Sequence, residues 1–376
     1  MTRKILYVSG TRADFGLLES TLRAAAKRPA LEVAVCVTGM HLMAEHGSTE
    51  SMVGDAGLRV AARIPVDLRS DDAASMARTT GRMLTAITDV FLAERPDLVL
   101  VLGDRGEMLA GALAAAYLGI PVAHIHGGER SGTIDESVRH AISKVAHYHF
   151  VATEQSRERL IRMGERPECI FVTGAPGLDG LAAIPSASRA KLADAARFDA
   201  AKPIALLLFH PVLQEAAAAA EQAGALVDAL SAAALQVVCL LPNSDPGNAA
   251  IRERFVAAEG ARFRCHVHLP RDTFLAWLAA ADVMVGNSSS GIIEAASFNL
   301  PVVNVGDRQR LRERSDNVLD CTAEPRQIGS TLARALALRG RKFSNVYGDG
   351  HAGAKIVELL ATLPLDADLM KKSNVY

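Results

Sequence analysis

Short apolar runs rich in β-branched residues alternate with longer helical patterns along the whole chain. That alternation leaves few architectures open, and the simplest is an α/β fold of parallel sheets with helices on both faces. In the first half the runs fall at residues 4–9, 32–38, 97–102, 121–126, 148–152 and 170–173. In the second they fall at 204–209, 236–241, 263–268, 282–286, 301–305 and 317–320. Residues 174–203 between them are rich in Gly, Pro, Ser and Ala, which puts a boundary near Ile184. A chain of 376 residues also exceeds what one core usually holds. The expected division is a first domain over 1–184, a second over 185–351, and a C-terminal helix and tail over 352–376 whose packing the sequence leaves open. The alanine-rich stretch 215–235 reads as helix because alanine favours it.

Composition limits the partners. The chain is 49% apolar and 22% charged, with a net charge of -1 and no long basic run. Attraction to nucleic acid or an anionic membrane through bulk charge is not expected, and an anionic ligand must be held by a local site. The five cysteines, Cys36, Cys169, Cys239, Cys265 and Cys321, are scattered without the paired spacing of a zinc or redox motif. They read as core thiols of a reducing compartment. The first residues run directly into a strand, and no stretch reaches 18 uninterrupted apolar residues. A cytoplasmic protein with no membrane partner is the expectation, with neither metal nor cofactor required.

Open parallel sheets bind ligands beyond the carboxyl ends of their strands, so polar residues just after the apolar runs are the site candidates. The densest is residues 124–150, HIHGGERSGTIDESVRHAISKVAHYHF. It breaks at Gly127-Gly128, places Glu129 on the turn, and starts a helix near Ile134 with a capping box over Thr133 to Glu136. Asp135 and Arg139 share a helical face, as do Glu136 and His140. Acidic residues in a first turn also simply offset the helix dipole. Asp104 and Arg105 end the preceding strand, where burial demands pairing or use. Arg12, with Asp14 nearby, lies on the turn after the first strand, a place where a guanidinium could grip a diphosphate.

The second half carries His210 after a buried strand and Asn243 in LPNSDPGN. Its sharpest element is GNSSSGIIEA, in which Ser288, Ser289, Ser290 and Gly291 open a helix suited to a diphosphate and Glu294 could accept ribose hydroxyls. Arg308 follows the next strand.

These motifs together resemble the hydrolysing UDP-N-acetylglucosamine 2-epimerases, which make N-acetylmannosamine for sialic acid biosynthesis. The resemblance covers nearly the whole chain and rests on SGTRADFG, GDRGEMLA, HIHGGE with SGTIDESVRHAISKVAHYH, FHPV, PNSDPGN, GNSSSGIIEA, GDRQ and YGDG. It implies two Rossmann-like domains facing each other across a cleft, as in GT-B glycosyltransferases, and a homodimer or homotetramer. It implies catalytic carboxylates at Asp104, Glu129 and Asp135, with His210 reaching the ligand and Arg12, Ser289, Ser290 and Glu294 holding UDP. Arg130 stands where family members often have a small apolar residue. The alternatives are a hydrolysing epimerase of a UDP-2,4-diacetamido-6-deoxy sugar, a non-hydrolysing epimerase, and a GT-B glycosyltransferase.

Overall fold

The structure, a computed structural model, describes residues 2–43, 49–66, 73–132, 134–181, 188–242 and 247–375. The chain divides into two compact units: Met1–Glu129 with Ile134–Asp179 and Tyr347–Tyr376, and Arg130–Thr133 with Gly180–Val346. The boundary expected near Ile184 and the capping residue expected at Thr133 lie outside the described residues.

The first unit runs β1 (Arg3–Ser9), α1 (Arg12–Ala26), β2 (Leu31–Thr38), α2 (Ser51–Asp55), β3 (Arg59–Ile64), α3 (Ala73–Glu94), β4 (Leu98–Leu102), α4 (Gly106–Tyr117), β5 (Val122–Ile125), α5 (Ile134–Val145), β6 (Tyr148–Val151), α6 (Glu154–Arg162) and β7 (Ile170–Val172). The strands form one parallel sheet in the order β3-β2-β1-β4-β5-β6-β7. β3 escapes the sequence reading because RVAARI carries two arginines among small residues, a pattern suited to an edge strand. Successive residues of β1 enter opposite cores: Ile5 and Tyr7 pack with Phe15, Leu18 and Leu22 of α1, while Leu6 and Val8 pack with α3 and α4.

The second unit runs α7 (Arg189–Ala196), β8 (Ile204–Leu208), α8 (Ala219–Ala232), β9 (Gln236–Leu240), α9 (Asn248–Ala257), β10 (Phe263–His266), α10 (Arg271–Ala280), β11 (Val283–Gly286), α11 (Ser289–Ile293), β12 (Val302–Val305), β13 (Val318–Cys321) and α12 (Pro325–Leu336). Its sheet is also parallel, in the order β10-β9-β8-β11-β12-β13. Both sheets therefore show the doubly wound order, with a topological switch point between β1 and β4 in one and between β8 and β11 in the other.

The end of the chain returns to the first unit as α13 (Ala352–Thr362) and α14 (Ala367–Met370). Ile356, Val357 and Leu360 of α13 enter the core beside α1. Asp179 holds the start of α13 by accepting the backbone N–H groups of Ala352, at 2.9 Å, and Gly353. Among the described residues no helix is long and apolar enough to cross a membrane.

Candidate active site

At the first switch point the turn after β1 is built on Asp14. Its Oδ1 accepts from the hydroxyls of Tyr7 at 2.9 Å and Ser9 at 2.5 Å. Its Oδ2 accepts from Gly10 N at 3.1 Å, Thr11 N at 2.6 Å and the Thr11 hydroxyl at 2.9 Å. Burial raises the pKa of Asp14, against the pull of His41 and the three hydroxyls. Asp14, expected on the ligand side, is therefore buried and saturated, and its part is to shape the turn that presents Arg12. Arg12 is half-buried, and burial lowers its guanidinium to about 10. His41 completes this layer, with Nε2 at 3.0 Å from Ser9 Oγ and Nδ1 at 2.9 Å from Thr49 Oγ1.

Across the switch point, Glu107 opens α4 with its carboxylate buried against the turn after β1. A Cβ on Gly10 would stand 2.5 Å from Glu107 Oε1 and displace that carboxylate, while Gly39, at φ 59° and with a Cβ 2.7 Å from the Gly10 carbonyl oxygen, requires glycine. Arg105 Nε donates to the same oxygen at 3.2 Å. No local pattern singles out Glu107, because an acid in a first helical turn is ordinary.

Asp104 and Glu129 are brought together by one buried arginine. Arg139, 1% exposed, pairs through Nη2 with Asp104 Oδ2 and donates from Nη1 to the Glu129 carbonyl at 3.0 Å. The helical face that Arg139 was expected to share with Asp135 turns Arg139 toward the strand ends. Asp135 is half-buried one turn earlier on α5. Glu136 and His140, expected on one face, approach to 3.8 Å.

Glu129 is itself buried, with Oε1 2.5 Å from His126 Nδ1. His126 has φ of 64°, and the adjoining turn contains Gly128 at φ 77°, where a Cβ would stand 2.5 Å from the Ser156 carbonyl. The left-handed turn is what swings the carboxylate back onto the imidazole. Arg159 binds the Gly128 carbonyl from α6.

The second switch point is held by Asn287, whose side-chain amide spans the ends of β8 and β11. It accepts from His210 N at 2.7 Å and donates to the His210 carbonyl at 2.8 Å. The Asn287 carbonyl accepts from Arg308 Nη1 and Gln309 Nε2, each at 3.2 Å. This draws His210, Arg308 and the serine turn to one sheet edge.

The helix after the serines is shorter than the motif suggests. It covers only Ser289–Ile293, with Ser288 as its cap, and continues as a 3-10 turn over Ala295–Phe298. Gly291 turns its Cα toward the sheet, where a Cβ would stand 3.0 Å from Val302, so this glycine permits close helix–sheet packing. Glu294, 1% exposed, is paired with Arg271 at the start of α10. Arg271 is a partner that no local pattern indicates. Asn243 lies outside the described residues.

A doubly wound parallel sheet with polar residues gathered at its switch point, built twice in one chain, defines an α/β protein of two Rossmann-like domains. Comparison with known proteins narrows this. The family model described as UDP-N-acetylglucosamine 2-epimerase matches residues 23–361, and the chain belongs to that family. It is 50% identical, over 100% of both chains, to a UDP-N,N'-diacetylbacillosamine 2-epimerase (hydrolyzing) of Legionella pneumophila. It is 33% identical to a UDP-N-acetylglucosamine 2-epimerase of Neisseria meningitidis, covering 93% of this chain and 91% of the relative. Among solved structures it resembles UDP-GlcNAc 2-epimerase from Neisseria meningitidis bound to UDP-GlcNAc, with a TM-score of 0.80, 20% identity, and 95% and 99% of the two chains covered. The S. aureus MnaA-UDP co-structure likewise superposes with a TM-score of 0.80 at 20% identity, covering 96% of each chain.

Proposed function

We propose that the protein is a hydrolysing 2-epimerase of a UDP-2-acetamido sugar, with UDP-N,N'-diacetylbacillosamine as its substrate. The observation that carries this reading is the 50% identity to the Legionella pneumophila enzyme along the full length of both chains. The 33% identical Neisseria meningitidis relative supports UDP-N-acetylglucosamine as the second candidate, with N-acetylmannosamine as its product.

The reaction runs in two steps. First the C1–O bond breaks with its electron pair leaving on UDP, the C2 proton is taken by a carboxylate, and the C2–H electrons form the C1–C2 double bond of a glycal. The C2 proton is weakly acidic, so C1–O cleavage runs ahead and leaves positive charge on the ring, which nearby carboxylates stabilise. Then water adds its hydroxyl to C1 and an acid delivers a proton to C2 from the face that inverts it. The sum is UDP-sugar plus water giving UDP and the free C2-epimeric sugar.

Glu129 and Asp135 are assigned the proton transfers and Asp104 the stabilisation of ring charge, with Arg139 and His126 fixing Asp104 and Glu129. His210 contacts the ligand. Arg12, Arg105, Ser288, Ser289, Ser290, Arg308 and Asn243 are assigned to UDP and sugar binding, and Glu294, paired with Arg271, to the ribose.

Proton NMR in deuterated water tests this, with each UDP-sugar supplied separately. Free UDP appearing with a C2-deuterated, C2-epimeric free sugar is the expected result, faster from the diacetamido substrate. Accumulation of a C2-epimeric UDP-sugar would replace it with the non-hydrolysing reading.

A further inference from the structure

His124 lies on β5, on the face of the sheet it shares with Val122, and it is fully buried. Its Nε2 lies 2.7 Å from the Gly103 carbonyl and its Nδ1 3.1 Å from Ser143 Oγ. A carbonyl can only accept, so Nε2 carries the proton, and Nδ1 then accepts from the Ser143 hydroxyl. Burial favours the neutral ring, which makes it a bridge with a fixed direction. It joins the turn after β4 to α5.

Both ends of that bridge matter to the proposed site. Gly103 stands at φ 84°, immediately before Asp104, and its N–H donates to the Ile125 carbonyl at 3.0 Å. β5 therefore holds this left-handed residue twice, by a backbone bond to its N–H and by the imidazole on its carbonyl. Ser143 lies one helical turn from Arg139, and both are buried on the inner face of α5. That face thus engages the site through Arg139 on Asp104 and the Glu129 carbonyl, and through Ser143 on His124. Gly127 leaves room for the bridge, because a Cβ there would stand 3.0 Å from both His124 Nδ1 and Ser143 Oγ.

We propose that His124 is a positioning residue for the reaction: its imidazole locks the Gly103–Asp104 turn to α5, and so fixes where the Asp104 carboxylate stands relative to Asp135 and Glu129. The inference rests on the assignment of Asp104 to the reacting site. Its test therefore has one arm that does not depend on turnover.

Long-range proton–nitrogen NMR on protein labelled with 15N-histidine reads the ring directly. The expected His124 signal is that of a neutral Nε2–H imidazole, unchanged between about pH 5 and pH 8, where an ordinary histidine titrates. It should vanish in His124→Gln. Burial, the largest influence, lowers His124 to about 3 even though the Gly103 carbonyl favours the charged ring. His126 and His149 lower it further and Glu129 opposes them.

The kinetic arm compares His124→Leu, which removes the donor to Gly103, with His124→Gln, whose amide can restore it. His124→Leu should lose about 100-fold in kcat, the cost of a small displacement of a reacting group, while KM and UDP affinity hold. His124→Gln should recover most of that loss. A titrating ring would overturn the proposal, as would a folded, UDP-binding His124→Gln protein as slow as His124→Leu. Failure of both variants to fold would also overturn it, by reducing His124 to a core residue. If the wild type turned over no UDP-2-acetamido sugar, the proposed function would fall, and the tautomer would still decide the bridge.

Discussion

Asn287 and His210 exchange two hydrogen bonds across the second switch point, side-chain amide to backbone, at 2.7 and 2.8 Å. The amide continues the ladder between β8 and β11 by one more rung where the strands begin to diverge. Replacing Asn287 with Ala removes both bonds and strands the His210 N–H and carbonyl. A loss of about 2–3 kcal/mol is expected, because unpaired polar groups cost more than the bonds they made. Urea unfolding of the variant measures it, and a midpoint unchanged from wild type would contradict it.

The neighbouring Gly286 is more constrained still. It has φ 131°, and a Cβ there would stand 1.9 Å from the Leu208 carbonyl oxygen. No rotation of a side chain relieves a contact between Cβ and backbone. Gly286→Ala should cost more than about 4 kcal/mol and yield little soluble protein. Wild-type levels of folded protein in circular dichroism would show that β8 can move aside.

Glu129→Gln and Asp104→Asn preserve shape while removing charge. Each should lower turnover by roughly two to four orders of magnitude, the range for loss of a positioned acid or base at Glu129 and of a group that stabilises transition-state charge at Asp104. Affinity for UDP, followed by calorimetry, should be retained. Near-normal release of free sugar by Glu129→Gln would remove Glu129 from the proton-transfer assignment.

The tail is tied to α5 by a buried ionic cluster. Glu165, 3% exposed, meets Lys144 at 2.6 Å, Lys372 at 2.6 Å and His149 at 3.1 Å. Lys372 also binds the Ser143 and Ala146 carbonyls at the end of α5. Lys372→Met should destabilise the protein by about 3 kcal/mol, the lower end for breaking a buried pair, since Lys144 remains. A thermal melt reads the result. Loss of UDP affinity without loss of stability would argue for some other role of the tail.

Stability should fall as pH drops below neutrality. Burial pushes His124 down to about 3 and His147 to about 4, from an ordinary value of 6.5. Between those limits the unfolded chain binds more protons than the folded one. The contribution is complete above 6.5 and is lost as pH falls through the folded values. Burial alone would raise Glu165, but hydrogen bonds from His149, Lys144 and Lys372 overcome it and hold the group at about 2, below its ordinary 4.5. Its contribution is present above 4.5 and lost as pH falls through the folded value. Asp14, raised by burial, acts in the opposite sense in the range of carboxylate titration. Melting temperatures measured from pH 8 downward should begin to drop near pH 6.5, and a flat profile to pH 5 would contradict the histidine part.

The strand-and-helix alternation was legible because each run carries its own period. The polar residues at strand ends were legible because a parallel sheet brings those ends to one edge. β3 was not, since RVAARI has too little apolar bulk to announce a strand and forms one only beside β2. Asp104 and Glu129 could be picked out by position, whereas the buried arginine that pairs with Asp104 and binds the Glu129 backbone carbonyl could not. Arg139 is 35 residues from Asp104, and its direction depends on how α5 lies against the sheet. The same holds for Glu107 beneath Gly10, for Arg271 on Glu294, and for Lys372 on Glu165.

The sequence by itself determined where strands end and which chemical groups stand there, because both follow from local pattern and chain connectivity. Tertiary structure decided which of those groups are committed to the scaffold. Asp14 is consumed by its own turn, Gly291 by the neighbouring sheet, and His124 by a carbonyl on the turn after β4. The physical reason is that a buried polar group must find a partner wherever packing puts one, and packing joins residues the chain keeps far apart.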